Sequence, residues 1–242
     1  MVVGSNSLAT TILPATSEAY ALKDPQLLEK YVTASYKYGM FFVIPMCVGI
    51  AIFARNVMGL GYFTNAAYMN GAASLAILVI GMTFYSVYTI SGSIVQGIGN
   101  PRVPMYILIF GCIMTLGLGL YLILLFGIEG GALATTISSF VMMVPMFFIQ
   151  FRMTKTHAPY SFLTKVTIAS LIMAIPSILV PNNVFGLIIG IIVCPIVYII
   201  MIVLLRTLSH EDVLEFRKYA NKLGPLGKYA NKFLNIVDKY SS

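Results

Sequence analysis

Long apolar runs, separated by short polar turns, make up most of the chain. A helix needs ~20 mostly apolar residues to cross the hydrocarbon core of a bilayer. No segment alternates between apolar and polar residues as a membrane strand does, and an open sheet cannot satisfy its backbone in lipid. The pattern therefore predicts an all-α, polytopic transmembrane bundle. Its six full spans are Tyr36–Ala54, Ala72–Gln96, Val103–Phe126, Gly130–Phe151, Phe162–Val180 and Val184–Leu205.

The two ends of the chain differ from this central region. The stretch TTILPATSEAYALKD (residues 10–24) passes from small and aliphatic residues to charged ones, as the end of a helix leaving a membrane does. We therefore interpret residues 1–24 as a partial span whose upstream part is absent. Residues 25–207 form the transmembrane domain. Residues 208–242 form an amphipathic cytoplasmic tail, which is expected either on an anionic lipid surface or docked onto the cytoplasmic loops.

Composition excludes a soluble protein. Of the 242 residues, 59% are hydrophobic and only 10% are charged, whereas a soluble domain has about 25% charged residues. The three cysteines lie singly inside apolar runs, and the two histidines lie in polar connections. Neither pattern has the spacing of a metal site, so we expect neither a metal nor another cofactor.

The basic residues predict the orientation of the chain. Fourteen of the fifteen Lys and Arg residues fall on one side of the predicted bundle, and Arg55 alone falls on the other. Because cytoplasmic loops are rich in Lys and Arg, both termini are expected in the cytoplasm of a multi-pass protein of the cell membrane. The net charge of +7 is explained by this topology, so we expect no nucleic-acid partner.

Polar chemistry is sparse inside the predicted spans. They contain no acidic residue, although an intramembrane charge is the usual marker of an ion or substrate site. The same lack argues against a membrane enzyme, which needs acid, base or metal-binding groups. One polar stripe is present on the second span, where five side chains fall within an arc of about 100°. These candidates for a transport path are Tyr85, Ser86, Thr89, Ser93 and Gln96. The alternative is that they bond to neighbouring helices or to their own backbone.

Three motifs carry a family resemblance. TTILPATSEAYALKD contains Pro14, Ser17 and Glu18; QGIGNPRVP contains Gly97, Gly99 and Pro101; and YLILLFGIEGGALATTIS contains Gly127, Gly130 and Gly131. In order and spacing they resemble motifs of polysaccharide and lipid-linked oligosaccharide flippases, the Wzx-type branch of the multidrug/oligosaccharidyl-lipid/polysaccharide exporter superfamily. The resemblance covers roughly residues 8–207. A simpler alternative is that these residues only end helices and form turns at Asn100–Arg102 and Gly127–Gly131.

The resemblance implies a function and a set of partners. Members of this branch have two six-helix lobes and two extra C-terminal helices, and the chain is similar to the second lobe without its first helix, followed by the extra pair. This implies export or flipping of a lipid-linked oligosaccharide or polysaccharide precursor by alternating access. The implied partners are the lipid-linked glycan, membrane lipids, and either a front-half lobe or a second copy of the chain.

Two other functions remain open. One is a cation-coupled drug or metabolite exporter of the same superfamily, which an acidic residue inside a span would favour. The other is a non-transporting protein, either a truncated remnant or a scaffold that binds a glycosyltransferase or a lipid. Neighbouring genes would separate these possibilities, because adjacent glycosyltransferase genes favour the flippase.

Overall fold

The protein is an all-helical membrane bundle. The computed structural model describes residues 2–61, 70–176, 184–205 and 207, and these ranges contain no strand. Five helices are long and apolar enough to cross a membrane, namely α2, α4, α5, α6 and the Gly186–Leu204 part of α8. The predicted fold class is therefore confirmed. The described helices are α1 (Val2–Ala21), α2 (Pro25–Ile52), α3 (Ala54–Gly61), α4 (Ala72–Gly97), α5 (Arg102–Phe126), α6 (Ile128–Thr154), α7 (Tyr160–Met173) and α8 (Val184–Leu204).

The first two helices form a hairpin with a tight turn. α1 ends at Ala21, and Asp24 then caps α2 because its side chain accepts hydrogen bonds from the backbone N–H groups of Gln26 and Leu27 at 3.0 and 3.1 Å. Pro25 occupies the first position of α2, where its missing N–H costs nothing. The predicted span Tyr36–Ala54 thus corresponds to the second part of α2, which starts at Pro25 and ends at Ile52, together with the first residue of α3.

Helix α4 is the centre of the bundle and packs against α1, α2 and α6. Against α2, the thiol of Cys47 donates to the carbonyl oxygen of Val79 at 3.0 Å. Against α6, the hydroxyl of Thr136 donates to the carbonyl oxygen of Ile77 at 2.9 Å. Gly81 permits this approach, since an added Cβ there would lie only 2.7 Å from the Thr136 hydroxyl oxygen.

The turn between α5 and α6 is shorter than predicted. The expected turn Gly127–Gly131 is wrong in extent: α5 ends at Phe126 and α6 starts at Ile128, so Gly127 is the only residue between them. Its φ of 58° reverses the chain at once, in a region that side chains disfavour. Gly130 and Gly131 lie inside α6, where Gly130 allows contact with the carbonyl group of Leu122 on α5. The other side of α5 is exposed, as at Leu124, which is 87% exposed.

Helix α7 packs against α2 and α8, and the Tyr198 hydroxyl on α8 donates to the carbonyl oxygen of Phe41 on α2 at 2.8 Å. Their core with α2 includes Phe53, Val166 and Tyr198. The span predicted at Phe162–Val180 is described as a helix only to Met173, where the N–H of Ala174 turns back to bond the carbonyl oxygen of Leu171. Pro176 follows and has no N–H to continue a helix. The predicted turn at Pro181–Asn183 and the tail at residues 208–242 lie outside the described residues.

Candidate functional site

Two of the three sequence motifs meet where α1 crosses the end of α4. The hydroxyl of Ser17 lies 2.9 Å from the carbonyl oxygen of Gly97 and donates to it as well as to Leu13 in its own helix. Gly97 is buried, and a Cβ there would collide with the hydroxyl of Thr16. Gly97 of the second motif is therefore needed so that α1, which carries the first motif, can pack closely against α4.

The remaining positions of these motifs occupy the same end of the bundle. Pro14 lies inside α1 and Glu18 lies one turn further along, and both are exposed. Gly99 has a φ of 90°, which lets the chain leave α4, and Pro101 directly precedes α5. Gly99 and Pro101 thus have the helix-ending role that the sequence analysis gave as an alternative. Ser17 and Gly97 in addition make a contact between two helices.

The predicted polar stripe runs along α4, and its hydroxyls bond to their own helix. Ser86 donates to the carbonyl oxygen of Met82 at 2.8 Å, Thr89 to that of Tyr85 at 2.9 Å, and Ser93 to that of Thr89 at 3.0 Å. This is the backbone bonding that the sequence left as the alternative to a path. It satisfies each hydrogen donor and leaves the hydroxyl oxygens as acceptors.

The stripe lies between the sides of α4 that its neighbours cover, and only part of it is accessible. α6 covers the side of α4 that carries Gly81, α2 covers the side of Ser91, and α1 reaches Gly97. At 100° per residue, the stripe falls on the remaining arc. Tyr85 and Thr89 are half-buried and Gln96 is exposed, whereas Ser86 and Ser93 are buried, at 1% and 7% exposure. In the described residues, the bundle is thus apolar, with a row of polar groups on α4 of which Tyr85, Thr89 and Gln96 are at least partly accessible.

A buried hydrogen-bond network close to this stripe was not predicted from the sequence. The Tyr36 hydroxyl on α2 lies 2.6 Å from the Ser91 hydroxyl on α4 and donates to the side-chain oxygen of Gln150 on α6 at 3.0 Å. The Gln150 amide then donates to Thr154 at 3.2 Å, and Thr154 lies 2.8 Å from Thr156. All five residues are buried. The signal was Gln150, the one amide side chain in the predicted span Gly130–Phe151, because a buried amide needs partners.

An apolar groove between α2 and α8 was also missed. It has a volume of about 550 Å³ and an almost wholly apolar lining. Glycines and prolines from both helices line it, and Gly190 on α8 allows α8 to contact the ring of Phe53. What such a groove can hold is a hydrocarbon chain. Its lining includes Phe42, Pro45, Gly49, Ile191, Cys194 and Pro195.

No metal site is found in the described part of the chain, where no three His, Cys, Asp or Glu side chains come close enough together to hold an ion. Cys47 and Cys194 are buried on different helices, and Cys112 is exposed on α5. The expectation that no cofactor is used stays a prediction.

Comparisons with known proteins agree on one family. A family model described as "Lipid II flippase MurJ" matches residues 3–182. The chain is 31% identical over 173 residues to the "Probable low-salt glycan biosynthesis flippase Agl15" of Haloferax volcanii, covering 70% of this chain and 36% of that protein. It is 26% identical over 175 residues to the "Lipid II flippase MurJ" of Bacillus subtilis, covering 69% of this chain and 31% of that protein.

A solved structure shows the same fold. The "Lipid II flippase MurJ, inward closed conformation" matches with a TM-score of 0.70 at 23% identity, over 81% of this chain and 42% of that one. The chain thus spans about a third of the length of these curated relatives.

Proposed function

The chain belongs to the family of the lipid II flippase MurJ, and from this premise we propose that it moves a lipid-linked glycan across the cell membrane as one lobe of a two-lobe transporter. The named relatives are flippases, and the superfamily motifs lie at the positions that join α1 to α4. A cation-coupled exporter is less well supported, because the spans lack an acidic residue inside them.

The observation that carries the proposal is the polar row on α4, in which Gln96 is exposed and Tyr85 and Thr89 are half-buried. Hydroxyl and amide groups such as Thr89 and Gln96 offer hydrogen bonds to sugar hydroxyls as these pass through an apolar membrane. In alternating access, the substrate site lies between two repeats, and rocking one repeat against the other moves its opening across the membrane. The row on α4 is suited to face such a second repeat.

A second lobe is part of this proposal. Polar groups that face lipid without a partner lose roughly 0.6–2 kcal/mol for each interhelical hydrogen bond forgone. Covering the half-buried Tyr85 and Thr89 and the exposed Gln96 therefore favours association with a front lobe or with a second copy of the chain. The exposed side of α5 is by contrast mostly apolar, with Tyr106 and Tyr121 near its two ends, and is suited to contact lipid.

The helix directions support the proposed orientation. Tyr36 pairs with Ser91 and Cys47 with Val79, so α2 and α4 are antiparallel. The connections after α1, α4 and α6 then lie at one end, and they carry Lys23, Arg102 and Lys155. We place this end in the cytoplasm, because basic connections face inward.

The apolar groove between α2 and α8 complements the polar row. A lipid-linked glycan has a hydrocarbon chain as well as a polar head, and the two parts need different surroundings. In this proposal the row on α4 serves the polar head, and the groove beside Pro45 and Gly190 serves the hydrocarbon chain. Each surface then binds the part of the substrate that matches it in polarity.

The proposal is tested by reconstitution. The purified chain is inserted into lipid vesicles with a fluorescent lipid-linked oligosaccharide, alone and with a co-expressed front lobe, and an impermeant quencher reports which leaflet holds the label. Flipping that requires the pair supports the two-lobe proposal. Equally fast flipping by a demonstrated monomer contradicts the need for a second lobe, and no flipping by any combination contradicts the function.

A further inference from the structure

A polar cavity lies at the end of the bundle opposite the basic connections. It has a volume of about 610 Å³ and is bordered by the end of α2, the start of α3, the start of α4 and the first turn of α6. Its polar side chains are Arg55, Asn70 and Glu129, each from a different part of the chain. Most of the other lining residues are alanines, and their short side chains leave the volume open. They are Ala51, Ala54, Ala72, Ala73 and Ala76.

The distribution of charge singles out this cavity. Between Lys37 and Arg152 the sequence contains only three charged residues, Arg55, Arg102 and Glu129. Arg102 lies at the opposite end of the bundle, at the start of α5. The other two both line the cavity although they are more than seventy residues apart in sequence, and both are exposed. Charged residues are thus rare over four spans, yet the cation Arg55 and the anion Glu129 lie on the same concave surface.

The three polar groups differ in what they bind. An arginine side chain presents parallel N–H donors that match the oxygens of a phosphate or a carboxylate. A glutamate carboxylate accepts hydrogen bonds from hydroxyl groups, and an asparagine amide both donates and accepts. A ligand that carries one anionic group and several hydroxyls satisfies all three. The volume falls within the roughly 300–1,000 Å³ of small-molecule sites.

We propose that the cavity formed by Arg55, Asn70 and Glu129 is a binding site for a sugar phosphate. Arg55 binds the phosphate oxygens, while Glu129 and Asn70 bind the sugar hydroxyls. The binding of a sugar phosphate does not depend on the proposed function. The role of the site, to hold the polar head of the glycan at the exit side of the membrane, does rest on the proposed function.

The test measures binding to the purified full-length chain in zwitterionic phosphatidylcholine nanodiscs. Glucose 1-phosphate, glucose and inorganic phosphate are titrated separately and followed by saturation-transfer NMR. We expect glucose 1-phosphate to bind more tightly than either of the other two. Arg55→Gln should weaken it by roughly tenfold. Glu129→Gln should weaken glucose 1-phosphate relative to inorganic phosphate, because the carboxylate accepts hydrogen bonds from several sugar hydroxyls but repels the phosphate anion.

The matched control is Arg102→Gln, which removes the same charge at the other end of the bundle. Arg55→Lys keeps the charge without the paired donors and should fall between wild type and Arg55→Gln. Equal affinities of Arg55→Gln and Arg102→Gln would overturn the site. So would displacement of glucose 1-phosphate by phosphatidylglycerol in the nanodisc, which would assign the cavity to a lipid head group. If the reconstituted pair flips the substrate but the chain does not bind glucose 1-phosphate, only the proposed site is contradicted. If the chain binds glucose 1-phosphate but the pair does not flip the substrate, only the proposed function is contradicted.

Discussion

The Ser17 hydroxyl on α1 donates a hydrogen bond to the carbonyl oxygen of Gly97 on α4, at 2.9 Å. Because Gly97 has no side chain, α1 comes close enough for this bond, and a Cβ there would collide with the hydroxyl of Thr16. One motif therefore depends on a glycine in the other.

Gly97→Ala should destabilise the protein by forcing α1 away from α4. Overpacking of this kind costs about 1–3 kcal/mol. The measurement is thermal unfolding in detergent, followed by the reaction of buried Cys47 and Cys194 with a thiol-reactive dye after replacement of exposed Cys112. The control is Gly117→Ala on α5, where an added Cβ meets nothing within 4 Å. Similar unfolding temperatures for the two variants would contradict the close crossing.

Tyr36→Phe should destabilise the bundle by a comparable amount. It removes the donor to the side-chain oxygen of Gln150, and leaving a buried polar group without its partner costs about 1–3 kcal/mol. The same unfolding assay measures the loss, with Tyr106→Phe on exposed α5 as the control. In the double variant with Gln150→Leu, the combined loss should be smaller than the sum of the single losses. Strict additivity would show that the two side chains do not interact.

Ser93→Ala combined with Gln96→Leu should reduce flipping by the reconstituted two-lobe pair. A roughly tenfold fall in rate corresponds to a loss of ~1.4 kcal/mol in stabilisation of the passing substrate. Stability should change little, because the Ser93 hydroxyl bonds within its own helix and Gln96 is exposed. Thr167→Val, which alters an exposed hydroxyl on α7 with the same kind of bond, is the matched control. An undiminished rate would remove α4 from the transport path.

Single cysteines should reveal the orientation in a background without the three native cysteines. A cysteine at Asn65 is expected to react with an impermeant maleimide added to intact cells. Cysteines at His157, which is exposed after α6, and at Ser241 should react only after the membrane is opened. Labelling of Ser241 from outside would reverse the proposed topology.

A peptide of residues 209–242 should become helical on anionic vesicles but not on neutral ones. Each lysine near an anionic surface contributes about 1 kcal/mol, and the attraction weakens as salt screens it. Circular dichroism with and without added salt measures the change. Equal helix content on both kinds of vesicle, or none on either, would favour docking of the tail onto the protein itself.

The fold was accessible from the sequence because hydrocarbon imposes strong constraints. The runs of apolar residues located the spanning helices, and Asn100–Arg102 marked the α4–α5 turn correctly. The extent of the Gly127 turn was not predictable, since a glycine that reverses the chain and a glycine that permits helix contact look alike in sequence. Only the structure shows that Gly127 has a positive φ and that Gly130 lies against Leu122.

The candidate site was predicted less completely than the fold. Periodicity placed Thr89, Ser93 and Gln96 on one face of α4, but it could not show which faces the other helices cover. The network around Tyr36 and Gln150 joins residues more than a hundred positions apart, and the cavity at Arg55 and Glu129 joins residues more than seventy positions apart. Such groupings arise from packing, which a single sequence without its contacts does not specify.

The side-chain hydrogen bonds along α4 determine which parts of the lobe can move separately. Ser17 holds α1 to one end of α4, Thr136 holds α6 near the other end, and Tyr36 joins α2 to both α4 and α6 in between. Sliding any of these helices past another would break a bond that lipid cannot replace. We therefore expect these four helices to turn together as one unit.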